Sequence, residues 1–213
     1  MYTEAEGIIL RQVKTVNGRR ILVILTDKFG KISAGTSIPE KGKNKTSLAL
    51  KPFTKGRYEL YKNRDSYNIN AAEVVQSYYA IGEDVDKYIA ASYVLELADK
   101  VLAEDEKADG MYKVLCDFLE LLSKRSKDFD TLVIAFQIKM LSLSGLSLSQ
   151  NPLIEGQSDD KIRVVNFVEN HSLSSLENLA IPAEMASGLS SFLKKYIAEN
   201  LGIENLKSEG LKI

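Results

Sequence analysis

The chain of 213 residues predicts an α+β protein of two domains, strand-rich over residues 1–80 and helix-rich over 81–213. Three observations predict it. The apolar pattern suits short half-buried strands up to Tyr78 and changes to a helical period from Gly82 onward. Two turn signals, Asn17-Gly18 and Asp27–Gly30 (DKFG), punctuate the first part. The charge divides at the same place: residues 1–80 carry fourteen Lys/Arg and seven Asp/Glu, hence +7, and the remainder carries -8, inside a net charge of -1.

Taken in order, Gly7–Val13 is an apolar run with a polar break, and Arg20–Thr26 (RILVILT) is rich in β-branched residues. Lys31–Thr36 follows Gly30 directly. Asn17-Gly18 tolerates the positive φ angles of a type I′ turn and joins the first two runs into a hairpin, while DKFG joins the second and third. Gly56–Lys62 alternates Tyr58 and Leu60 against Arg57, Glu59 and Tyr61, and Tyr67–Val75 follows the polar break Asn63–Ser66. Five short strands in about 75 residues, with a long Lys/Gly/Asn segment between the third and fourth, suit a small barrel of the OB type. Lys41–Lys45 reads as a flexible charged loop.

In the second part Val85, Tyr88, Ile89, Ser92, Tyr93, Glu96 and Leu97 form one helical stripe, interrupted by the charged run Glu104–Asp109. Met111, Leu115, Phe118, Leu119 and Leu122 mark a second helix. Val133, Phe136, Gln137, Met140 and Leu141 mark a third, ending at Gly145, a residue suited to a left-handed C-cap. Ile162–Val168 fits strand or helix, and Ser174-x-x-Glu177 predicts a capping box. Pro182 suits a helix start, with Met185, Leu189, Phe192, Leu193, Tyr196 and Ile197 on one face until Gly202.

Composition excludes several classes. Hydrophobic residues at 45% and charged residues at 27% fit a globular chain rather than a disordered or fibrous one. No apolar run reaches the roughly 18 residues of a membrane span, and the N-terminus opens with acidic residues instead of a basic leader, so the expected location is cytoplasmic. One cysteine, Cys116, rules out an internal disulfide. One histidine, His171, in the polar context Glu-Asn-His-Ser, suits a loop or capping role better than a general base. No Gly-x-Ser-x-Gly and no phosphate-binding glycine loop occurs, and the acidic runs Glu104–Glu106 and Asp159-Asp160 read as solvated charge. No enzymatic constellation emerges, and no cofactor is expected.

The basic third is more informative. Arg19 and Arg20 flank the first hairpin, Lys28 and Lys31 the second, and Lys41, Lys43 and Lys45 crowd into five residues. Flexible lysines neutralise phosphates without demanding one geometry, which gives affinity for DNA without sequence preference. Tyr58, Tyr61, Tyr67 and Phe53 supply candidate stacking platforms for unpaired bases. Strand alternation places Tyr58 and Tyr61 on opposite faces, so only one or two of the four are expected to face solvent.

The chain resembles the bacterial recombination mediator family RecO. The resemblance rests on Gly7-Ile8-Ile9-Leu10 as opening strand, on Leu25-Thr26-Asp27-Lys28-Phe29-Gly30-Lys31 with the family's "T-x-x-x-G-K/R" turn, and on Leu50-Lys51-Pro52-Phe53 with its "L-x-P-F". It continues through Ala71–Tyr78 as the final strand "E-x-x-x-x-F/Y", through Ala91–Leu97 as the "A-S-Y-x-x-E-L" helix, and to Leu206-Lys207-Ser208. The resemblance implies an N-terminal OB domain over 1–80 that binds single- and double-stranded DNA, and a helical domain over 81–213. It further implies annealing of complementary strands, binding of the C-terminal tail of single-strand binding protein, and work with RecR to load the recombinase RecA, during repair at the nucleoid and without covalent chemistry.

Many family members carry a four-cysteine zinc site after an "L-x-x-x-G" helix end. Here Leu141–Gly145 matches that end, yet Leu146–Phe167 holds no cysteine. Residues 146–167 are therefore expected to be a zinc-less counterpart, with Leu153, Ile154, Val164, Val165 and Phe167 packing in place of the metal. For the acidic tail, the expected clamp is Arg125 with Lys124 and Lys127, or Lys194 with Lys195, because a local cationic cluster must overcome the -8 background. The competing reading of the whole chain is an OB-fold protein-interaction adaptor without a direct DNA role.

Overall fold

The structure, a computed structural model, describes residues 2–14, 20–38, 45–63, 66–149, 151 and 158–211. Five strands, β1 (Tyr2–Lys14), β2 (Arg20–Thr26), β3 (Gly30–Thr36), β4 (Thr54–Asn63) and β5 (Ser66–Ser77), close into a barrel in the order β1-β2-β3-β5-β4. Closure depends on β1 serving two neighbours. Its first half, Tyr2–Ile8, pairs antiparallel with Tyr61–Lys55, and its second half, from Gly7 to Lys14, pairs with β2. An irregularity between Ile9 and Arg11 bends the strand from one partner to the other. On the far side Ala34–Thr36 run parallel to Tyr67–Ile69. An OB-type barrel is thus present, as expected.

β1 starts at Tyr2, five residues before the apolar run. Ala5 points into the barrel core while Tyr2, Glu4 and Glu6 alternate away from it, so the acidic opening is one face of a strand. Ile9, Leu22, Ile24, Ile32, Leu60 and Ile69 fill the interior, each adding about 1.5–3 kcal/mol of transfer free energy on burial. A short helix beginning at the last residue of the expected Lys41–Lys45 loop, α1 (Lys45–Ala49), closes one end by burying Ala49 and the following Leu50; the rest of that loop lies outside the described residues. The Tyr58 hydroxyl donates to the Ala49 carbonyl at 3.1 Å, and burial raises its phenol pKa far above the ordinary value.

After a helical turn α2 (Tyr79–Gly82) come α3 (Val85–Val101), α4 (Asp109–Lys124), α5 (Phe129–Leu143), α6 (Asp159–Asn170) and α7 (Ala183–Leu201). The chain forms two compact units, residues 1–85 with 95–112, and residues 86–94 with 113–213. None of the described helices is long and apolar enough to cross a membrane.

In the second unit α5 is the central rod. It is buried on nearly every side rather than on a single stripe, and it packs against α6, α7 and the 3-10 turn Leu173–Leu176. Phe118 of α4 meets Phe136 edge-on at 5.5 Å. Gly145 follows the helix with φ +77, and Leu146 N–H reaches back to the Leu141 carbonyl, a Schellman-type ending. The ambiguous stretch Ile162–Val168 is helical, with Val165 and Val168 buried three residues apart. The predicted capping box does not form. Ser174 sits inside the 3-10 turn with its hydroxyl on Ser172 Oγ and on the half-buried Asp117, whose carboxyl burial holds above the usual range.

Candidate nucleic-acid interface

Of the seven basic residues expected on phosphates, Arg19, Lys41 and Lys43 lie outside the described residues, and Lys45 opens α1. Arg20 stands at the end of the β1–β2 hairpin, where it donates to the Ile38 carbonyl at 2.7 Å and to Gln12 Oε1 at 3.0 Å. Two of its five donors are thereby fixed, which orients the guanidinium at the barrel rim. Lys28 is exposed, and its ammonium donates to the Glu4 carbonyl at 2.7 Å.

Lys31 departs from the expectation. It is buried, and its ammonium donates to the Asp99 carbonyl at 2.6 Å and lies 3.4 Å from the Asp99 carboxylate, which Arg11 also contacts. The surrounding motif serves the same docking. Thr26 Oγ1 donates to the Gly30 carbonyl and accepts from Phe29 N–H. Gly30 has φ +65, and a Cβ there would run into the Glu106 carbonyl. Asp105 N–H donates to the Lys31 carbonyl at 2.8 Å, and Ser33 donates to Glu104 at 2.7 Å. Within the first unit, then, the Thr26–Lys31 segment fastens residues 99–106 to the edge of β3. The acidic run Glu104–Glu106, read from sequence as plain solvated charge, is partly a docking strap.

Among the aromatic candidates Tyr58, Tyr67 and Phe53 are buried, and Tyr61 is 40% exposed. Sequence reading missed its partner. Tyr2 is 58% exposed and stands opposite Tyr61 in the β1–β4 ladder, with ring centroids 5.2 Å apart. The alternation of Tyr2, Glu4 and Glu6 with the small Thr3 and Ala5 was the available signal. Lys62, next along β4, holds its ammonium 5.0 Å from the Tyr67 ring centre. Farther along the same outer face Glu6 bridges Lys55 (2.8 Å) and Arg57 (2.9 Å), and Arg57 reaches on to Glu73 (2.7 Å). The hydrogen bond from the Lys55 ammonium, joined by the Arg57 guanidinium, outweighs the cost of burial and holds the Glu6 carboxyl below its ordinary pKa.

The cationic candidates of the second unit separate by geometry. Arg125 folds back on its own helix end, donating from Nε to the Lys127 carbonyl at 2.9 Å and from its terminal nitrogen to the Leu179 carbonyl. Lys124 pairs with Glu120 at 2.7 Å, and Lys127 is exposed. Lys194 and Lys195 instead border an open pocket of about 440 Å³ lined also by Tyr93, Ile203 and Leu206. Glu209 sits on Lys194 at 2.7 Å, and Glu199 lies 3.7 Å from Lys195. Burial, with the negative charge of Glu209 adding to it, pushes the Tyr93 phenol up to about 12.

The residues of 146–167 do not fit a zinc. The chain has one cysteine, Cys116, and one histidine, His171. Among the described residues no group of three His, Cys, Asp or Glu side chains is placed to hold a metal ion. His171 follows α6, with its ring nitrogen 2.8 Å from the Phe167 carbonyl. A carboxylate organises the segment instead. Glu169 accepts from Leu148 N–H at 2.8 Å and from the Ser147 hydroxyl at 2.9 Å, and Leu148 is fully buried. Of the expected apolar replacements Val165 is buried and Val164 half-buried, while Leu153 and Ile154 lie outside the described residues. Phe167 turns outward onto the His171 ring.

Comparison with known proteins agrees with this architecture. The family model described as "Recombination protein O N terminal" matches residues 1–78, and "Recombination protein O C terminal" matches residues 82–152. The DNA repair protein RecO of Alkaliphilus metalliredigens is 24% identical, over 98% of this chain and 97% of its own length. That of Caldicellulosiruptor saccharolyticus is 27% identical over 79% of this chain and 69% of its own. That of Clostridium perfringens is 29% identical over 78% of this chain and 66% of its own. With both family models matching in chain order over the barrel and the helices that follow, the chain belongs to the recombination protein O family, whose role lies in DNA repair and recombination.

Proposed function

We propose that the chain is a DNA-binding recombination mediator that acts by charge neutralisation and partner contact, with no covalent step. The observation that carries this reading is the coincidence of a closed OB-type barrel with the basic third of the chain, +7 over residues 1–80. Barrels of this type bind oligonucleotides along strands 2 and 3 and the loops beside them. Arg19, Arg20, Lys28, Lys41, Lys43 and Lys45 are the proposed phosphate contacts, on single and double strands alike. Lys31 supports them from within, through Asp99.

The helical part, residues 81–213, is the proposed partner-binding domain. An acidic tail with an apolar end, as on single-strand binding protein, suits the pocket beside Lys194 and Lys195, where Ile203 and Leu206 offer apolar walls. Arg125, Lys124 and Lys127 form the second candidate cluster. Annealing of complementary strands and loading of RecA together with RecR follow from joining two grips, one on DNA and one on the protein that coats it.

Titration of labelled single-stranded DNA with the full chain tests the reading. Affinity that falls linearly in log-log form with salt supports it. Association with proteins alone, insensitive to salt, favours an adaptor instead. For the tail, Lys194→Glu is expected to weaken binding of an acidic, apolar-ended peptide severalfold, and Arg125→Ala to lower thermal stability with little change in peptide affinity.

A further inference from the structure

We infer that Tyr2 and Tyr61 form a stacking platform for an unpaired nucleobase, which lets the barrel discriminate single strands from duplex. The inference rests on the reading that the barrel binds DNA. The two rings stand directly opposite each other on β1 and β4, close to the turn of the β4–β5 hairpin, 58% and 40% exposed and 5.2 Å apart with a 53° tilt. Tilted this way they cover each other only in part. Tyr58, three residues earlier on β4, points into the core, so alternation fixes Tyr61 outward as firmly as it fixes Tyr58 inward.

The charges around the rings decide which nucleic acid fits. Toward one side, along the same outer face, Glu4 lies opposite Glu59 in the ladder, two carboxyl side chains that repel a phosphate laid directly over them, while the Lys28 ammonium sits beyond them on the Glu4 carbonyl at 2.7 Å. Lys62, next along β4, alternates to the other face, where its ammonium lies 5.0 Å from the Tyr67 ring centre. A single strand can turn a base onto the tyrosines while its phosphates stay clear of the carboxylates. A duplex keeps its bases inside, so only sugar and phosphate would meet the rings, with the second backbone pressed toward Glu4 and Glu59. Stacking is indifferent to base identity, because every base has a π face, and it adds no charge neutralisation. The platform therefore contributes affinity that is specific for unpaired bases and independent of salt, in contrast to the lysines.

The test compares the full chain with Tyr61→Leu, Tyr2→Leu and Tyr61→Phe, titrated with labelled oligothymidine, with the same strand carrying abasic sites, and with a duplex of equal length, each at several salt concentrations. Either leucine variant is expected to bind oligothymidine about fivefold or more weakly. Its salt slope stays unchanged, its duplex affinity stays within about twofold, and Tyr61→Phe retains wild-type affinity, since the ring and not the hydroxyl does the stacking. On abasic strand the wild-type advantage over the leucine variants disappears. Wild-type binding to oligothymidine with unaltered affinity in both leucine variants overturns the platform and leaves DNA binding standing. Equal losses on duplex and abasic strand overturn it as well, by pointing to a loss of fold. A wild-type chain that binds no DNA overturns the platform together with the reading beneath it.

Discussion

Lys28 and Lys31 sit three residues apart in one turn and meet opposite fates: the first is exposed, the second buried on Asp99. Nothing near them in sequence separates the two, because the partner lies 68 positions away. The same holds for Tyr2, whose pairing with Tyr61 is a property of the ladder, whereas alternation alone placed Tyr58 and Tyr61 on opposite faces and the fold decides that Tyr58 is the inward one. Removing Lys31 leaves Asp99 with Arg11 as its remaining described cation, so Lys31→Ala is expected to lower stability by about 1–3 kcal/mol. Denaturant melts should record that loss, while the salt slope of DNA binding stays as in the wild type; the reverse pattern would return Lys31 to the phosphate contacts. Glu6 makes a second residue-scale prediction. Its carboxyl has a pKa lowered by Lys55 and Arg57 in the folded state, so its stabilisation is complete above the unfolded carboxylate pKa and disappears as pH falls through the lower folded value. Glu6→Gln should therefore cost about 1 kcal/mol at pH 7 and progressively less below about pH 4.5, converging with wild type in acid. A deficit that persists undiminished at the lowest pH would place the Glu6 contribution in packing rather than charge.

At the scale of elements, β4 and the start of β5 were readable because buried and exposed residues alternate along them, β1 to β3 because they are short apolar runs bounded by turn signals, and the main helices because their stripes repeat. What escaped was set by tertiary partners. Tyr2–Glu6 showed only an acidic opening ahead of the Gly7 strand until β4 supplied the other side of the ladder, and α1 was hidden in a lysine-rich segment whose last residues, Ala49 and Leu50, enter the core. Ile162–Val168 has the β-branched composition of a strand but buries residues three apart, as a helix does. The turn carrying Leu146–Ser149 shows how a segment without cysteines is organised: the Glu169 carboxylate gathers Leu148 N–H and the Ser147 hydroxyl. Glu169→Ala removes a charged acceptor from these donors and is expected to cost about 1.5–3 kcal/mol. Hydrogen exchange should show Leu148 N–H losing protection in that variant before the amides of α5 do, and an unaltered Leu148 would assign the order of this turn to apolar packing alone. Elemental analysis of the purified chain is expected to find no stoichiometric zinc, and about one zinc per chain would contradict the unfit donor set.

Across the whole molecule the near-neutral total conceals a +7 barrel region and a -8 remainder, a division visible from sequence because it needs only counting. Which cations remain available for phosphate was not visible, since Lys31 and Arg125 carry labels identical to those of exposed residues and are engaged by partners distant in sequence. The proposed mediator works through this division: a basic barrel that grips DNA by releasing counterions, and an acidic helical part with a local cationic pocket for a partner. The most direct measurement is the slope of log affinity against log salt for single-stranded DNA, taken on the full chain and on the variant Lys41→Glu, Lys43→Glu, Lys45→Glu. Each phosphate contact contributes about 0.7 to that slope on single strands, so the wild type should lose affinity steeply with salt and the triple variant should be shallower by about 2. Full-chain binding to single strands that is absent, or that does not weaken as salt rises, would contradict the claim that this chain holds DNA through the charge of its barrel.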